Sequence, residues 1–127
     1  MNDVYRIKDW DEHFEIAQSR QYKTLSWIAL PNKHDGKGFR RIAMHERATD
    51  IFAAWILILQ VASKCKTRGT LIDNKEPITS EDLSIKTGFK KEAFDIALEV
   101  LTSKKIEWIE KITISEATAD RQQEDSD

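Results

Sequence analysis

The stretch "TSEDLSIKTGFKKEAFDIALEVL", residues 79–101, decides the fold. Thr79 is a good helix N-cap, and Glu81 and Asp82 place negative charge in the first turn, where the helix dipole favours it. The helix it opens ends at Gly88, a residue suited to the left-handed C-terminal position. A second helix follows from Lys91 to about Lys104, with Ala93, Phe94, Ala97, Val100 and Leu101 on its inner face and Ile96 and Leu98 at the borders. Two short helices joined at a glycine are a helix-turn-helix pair.

Upstream, "DIFAAWILILQVASK" carries Ile51, Phe52, Trp55, Ile58, Leu59 and Ala62 at helical spacing, widened by Ile56, Leu57 and Val61. A helix apolar nearly all round is central rather than peripheral, so this one, from Thr49 or Asp50 to Lys64, is the expected core. "RGTLI" reads as a short strand after it and "DNKEP" as a turn. "IEWIEKITIS" alternates as a second strand, with Ile106, Trp108, Ile112 and Ile114 on one side and Glu110 out of phase. The RGTLI strand is expected to pair with the strand around Trp108. With no glycine or asparagine turn and no further apolar strand, any wing is short or absent.

Before the core, Asp9 or Asp11 caps an expected helix over "DEHFEIAQSR", with Trp10 at its entrance. "YKTLSWIALP" reads as an extended segment, "PNKHDGKG" as a loop and "FRRIAMHERA" as a short helix. Trp55 and Trp108 fall on inner faces, and core packing is the favoured reading for Trp10 and Trp27 as well. The tail "EATADRQQEDSD" has no large apolar residue and is expected to be disordered. The fold class is therefore mainly α with a small sheet of two or three strands. It is a winged helix-turn-helix with an N-terminal helical extension, one domain over residues 1–115 and an acidic tail over 116–127.

Composition narrows function. With 40% hydrophobic and 33% charged residues the chain has globular character, and no apolar run approaches the ~20 residues that span a bilayer. The opening MNDVYRIKDWDE lacks the apolar core of a signal peptide, so the expected location is cytoplasmic with no membrane partner. The lone Cys65 forms no internal disulfide and reads as a spectator thiol. His13, His34 and His45 beside ordinary carboxylates do not make a metal or nuclease motif; "GKG" at Gly36 lacks phosphate-loop spacing; and no nucleophile elbow or triad pattern is present. No enzyme activity, metal or cofactor is expected.

Charge placement is more informative. The net charge is −2, yet residues 20–47 hold seven basic side chains against two acidic ones, while residues 79–110 hold five against seven. Lys33, Lys37, Arg40 and Arg41 gather around a glycine-bearing loop with Phe39 among them, as suits a phosphate backbone with a base stacked alongside. On the helix after Gly88, Lys90 and Lys91 could touch a backbone, but Glu92, Asp95 and Glu99 would meet phosphates at a cost.

The combination of "WIALPNKHDGKGFRR", "FAAWILILQVASK", "RGTL", "TSEDLSIKTG" and "FDIALEVLTSKKIEWIE", over roughly residues 20 to 112, resembles the N-terminal winged-helix region of phage and prophage proteins of the replication-organiser type. These are distantly similar to DnaD-type primosome proteins. The resemblance implies a part in phage DNA metabolism, with DNA and other replication proteins as partners, and carries over no catalytic residue. The expected function is a non-enzymatic DNA-associated module of a phage-type replication or regulatory system. The alternative is a protein–protein interaction domain, dimeric or otherwise, without DNA contact.

Overall fold

The computed structural model describes residues 3–15, 25, 27, 28, 30 and 36–118. Their order is β1 (Asp3–Ile7), α1 (Trp10–His13), α2 (Lys37–Ala43), α3 (Ala48–Ser63), β2 (Thr70–Asp73), β3 (Glu76–Pro77), α4 (Ser80–Thr87), α5 (Lys91–Leu101) and β4 (Ile109–Thr113). The architecture is mixed α/β, with α1 to α5 against one face of a four-stranded antiparallel sheet.

α3 is the core helix. It buries Ile51, Ala54, Trp55, Ile58, Leu59 and Ala62, a stripe at three- and four-residue spacing, and leaves Ile56 largely outside. Against it lie Ala93, Phe94, Ala97, Leu98 and Leu101 of α5 and Leu83 of α4. The α4–α5 pair forms by local chemistry. Thr79 Oγ1 accepts a hydrogen bond from the Asp82 N–H at 3.2 Å, and the Asp82 carboxylate accepts one from the Thr79 N–H at 2.9 Å, a reciprocal cap. Gly88 ends α4 at φ 77°, and the Ser84 hydroxyl donates to the Phe89 carbonyl at 2.6 Å to tie the turn.

The sheet differs from the sequence expectation. Its order is β3-β2-β1-β4, so the N-terminal strand lies in the middle. β2 does not pair with the strand beside Trp108; β1 separates them, with Tyr5 opposite Leu71 on one side and Ile7 opposite Ile109 on the other. "DVYRI" is β-branched and aromatic enough for a strand, but it is short and set among charges, so its place depends on partners far along the chain. Of the expected N-terminal helix, the described residues form the single turn of α1, which ends before Phe14. Asp9 occupies its N-cap at φ 55° without a side-chain capping bond. The "DNKEP" turn is a two-residue hairpin loop between β2 and β3, with Asn74 and Lys75 at φ 51° and 65°, both left-handed as a type I′ turn requires.

Glu107, at φ 49°, breaks the extended run before β4. The expected grouping of Trp108 with Ile112 and Ile114 therefore fails. Trp108 packs on Trp55, Ile109 faces the main core, and Ile112 faces the reverse side of the sheet. There Val4, Ile72, Ile112 and Ile114 form a second small core closed by Ala117. The chain turns helical over 114–118, capped by Thr113, whose hydroxyl accepts from the Glu116 N–H at 3.1 Å. The first three residues of the expected disordered tail, 116–118, are thus structured; 119–127 lie outside the described residues.

Trp10 is buried as expected and stacks on Phe14 at 5.1 Å; Phe14 meets Trp55 edge-on at 6.2 Å, and Trp55 meets Trp108 at 5.3 Å. Trp27, for which core packing was the favoured reading, is 76% exposed. The strand expected over "YKTLSWIALP" otherwise lies outside the described residues, as do residues 16–20 of the first expected helix and 31–35 of the loop. Arg68 and Glu15 form an ion pair of mostly buried side chains beside this aromatic row.

Candidate nucleic-acid interface

α2 is a short helix with two unlike sides. Ile42 is fully buried, Phe39 stacks on Phe52 of α3 at 4.7 Å, and Gly38 lies against the Trp108 indole so closely that a Cβ there would fall 2.7 Å from Nε1. That contact requires glycine and seats α2 against the start of β4. The other side carries Lys37, Arg40 and Arg41, all exposed. At 100° per residue these positions lie within one arc of the helix. Among the described residues no carboxylate pairs with any of the three.

The structure therefore brings Lys37, Arg40 and Arg41 onto one surface; Lys33 lies outside the described residues. Phe39, expected to be available for stacking, is half-buried and its ring is engaged by Phe52. A residue that sequence reasoning passed over lies among the cations. Met44, the C-cap of α2, is 86% exposed and falls between Arg40 and Lys37 around the helix. Its helical offset of seven from Lys37 is the signal that could have placed it there.

The lysines before and at the start of α5 are committed internally. Lys90 Nζ lies 3.1 Å from Asp50, which also accepts from Arg47 at 2.8 Å. Arg47 first and Lys90 second hold the Asp50 carboxyl below its usual range. Lys91 pairs with Asp95 at 3.0 Å, and the Asp95 carboxyl is lowered by the Ser80 hydroxyl and then by Lys91. The outward face of α5 keeps Glu92 and Glu99 exposed. Asp95 and Glu99 also line, with Asp3, Tyr5 and Lys111, an open cleft of ≈ 490 Å³ between α5 and the sheet. A phosphate there would face three carboxylates and one ammonium.

Other chemistry is sparse. Asp9, Glu12 and His13 are exposed and could bring three ligand atoms within 4.8 Å of one another; their i, i+3, i+4 spacing is legible in the sequence. The His45 ring is tied down, its Nδ1 accepting from the Arg47 N–H at 2.9 Å. Burial pushes the Cys65 thiol up to about 11, so it is protonated and unreactive near neutral pH. No helix among the described residues is long and apolar enough to cross a membrane. Comparison with known proteins found no matching family model, no matching curated protein and no matching solved structure.

Proposed function

We propose that the protein is a non-enzymatic, nucleic-acid-associated module that holds a phosphate backbone on the outer face of α2, with the α4–α5 pair as scaffold. The observation that carries this reading is the contrast between two helices. Lys37, Arg40 and Arg41 stand exposed together on α2, whereas Lys90 and Lys91 are spent on Asp50 and Asp95. The element order α3–β2–β3–α4–α5–β4 is compatible with a winged helix-turn-helix that carries an added hairpin strand, β3. A wing would be a hairpin after α5; here the strand after α5 pairs with β1 instead, so α2 takes the place of a wing as the charged contact. A role in phage-type replication or regulation rests on the sequence resemblance alone.

Binding to a random duplex and to a single strand, followed by anisotropy at several salt concentrations, tests this. Replacing Lys37, Arg40 and Arg41 by Gln should weaken binding to every sequence and lower the salt slope by about 0.7–0.9 per lost phosphate contact. Replacing Lys90 and Lys91 should do less. A larger loss from the lysine pair would transfer the contact to α5.

One observation favours a second reading, a protein-interaction domain. Trp27, Leu30 and Ile56, all exposed, line a groove of ≈ 440 Å³ beside α3. Absence of nucleic-acid binding by the wild type at low salt would leave that reading standing.

A further inference from the structure

We infer that the outer face of α2 takes a single strand of nucleic acid, with Met44 as the surface on which a base rests. This deepens the backbone-contact reading above and rests on it. The size of the patch comes first. α2 has seven residues, so it is about 10 Å long, enough for two or three successive phosphates of one strand but short of the ~12 Å major groove that separates the strands of a duplex. A helix laid into that groove would have to be α5, whose outward carboxylates and internally paired lysines oppose it.

Chemistry narrows the choice further. An exposed thioether centred among three cations is misplaced on a surface that only touches phosphates, because a duplex offers it no apolar area unless a base step is unstacked. A single strand presents base faces beside its phosphates, and a methionine sulfur and methyl make favourable contact with an aromatic ring. Phe39, the aromatic residue of the same helix, cannot serve, since its ring is stacked on Phe52. Met44 is the apolar group that remains.

The test uses the full chain, a labelled oligothymidylate of about twenty nucleotides, longer than the ~4–16 that such sites cover, and a random-sequence duplex of equal length. The wild type should bind the single strand more tightly. Met44→Gln should weaken single-strand binding about two- to tenfold, the range a sulfur–ring contact supplies. It should leave the salt slope and the duplex affinity unchanged, and Met44→Phe should restore the single-strand affinity. The Lys37/Arg40/Arg41 triple variant should instead lower the slope on both ligands. Equal affinity of the wild type for both ligands, or a Met44→Gln variant that binds the single strand as the wild type does, overturns the inference and leaves the backbone reading intact. A wild type that binds neither ligand at low salt overturns both.

Discussion

Gly69 and Gly88 both hold left-handed backbone, at φ 90° and 77°, but their surroundings differ. A Cβ on Gly88 would meet nothing within 4 Å, whereas one on Gly69 would fall 2.7 Å from Cβ and Cγ of Trp10. Gly88→Ala should therefore cost only the backbone penalty of about 1–2 kcal/mol. Gly69→Ala pays the same penalty and must also displace a buried indole that stacks on Phe14, the residue before Glu15 of the Arg68–Glu15 pair. Urea denaturation of the two variants measures the difference directly. Equal losses would show that Trp10 moves freely and that the aromatic row does not anchor α1. Neither effect can be foreseen from the sequence, where both glycines look like joints; only the indole beside Gly69 distinguishes them.

α4 owes its start to the Thr79–Asp82 cap, and this makes part of the stability pH-dependent. The Asp82 carboxyl is held below its ordinary value, first by the Thr79 N–H and then by the Thr79 hydroxyl. A carboxylate whose folded value is lowered stabilises the fold at pH above its unfolded value, about 4, and that contribution is lost as the pH falls through the lowered one. Asp50, Asp95 and Glu107 are shifted in the same direction, so the acid limb of the stability curve sums several such groups. Lys8, raised mainly by its hydrogen bond to Glu107, keeps its contribution until strongly alkaline pH. Thr79→Ala should cost about 1 kcal/mol at neutral pH. Asp82→Asn should flatten the fall in melting temperature between neutral pH and acid relative to the wild type; an unchanged acid limb would show that the cap does not form in solution. The cap was legible in the sequence because N-cap, acidic first turn and C-terminal glycine follow one another in a single segment. A second cap, "TISE" at 113–116, bears the same signature, but the polar residues after it disguised a turn that buries only Ala117.

α3 and α5 could be read from the sequence because each carries its own periodic stripe, and α4, which buries only Leu83, because its caps mark both ends. The sheet could not, since β1 has no meaning without β2 and β4 beside it. The candidate interface divides the same way. Its cations cluster in the sequence, but the neutralisation of Lys90 by Asp50 needs α3 and the start of α5 to meet. As β1 is hydrogen-bonded on both edges and packs Tyr5 and Ile7 on one face and Val4 on the other, removing residues 1–7 should split the sheet and abolish cooperative unfolding. A shortened chain that still melts in one sharp transition would show that the helices fold without the sheet.

That central position also sets an order of events during synthesis. β1 is made well before the strand that flanks it at Ile109–Thr113, and the Arg6–Glu110 pair joins positions 104 apart. At roughly 5–20 residues per second, β1 waits about 5–20 s on the ribosome before its second neighbour exists. Until β2 is made both edges of β1 are open, and one stays open for the rest of that interval. The nascent chain is then a strand acceptor in search of a donor, and a neighbouring copy on the same message could supply β4 before its own chain does.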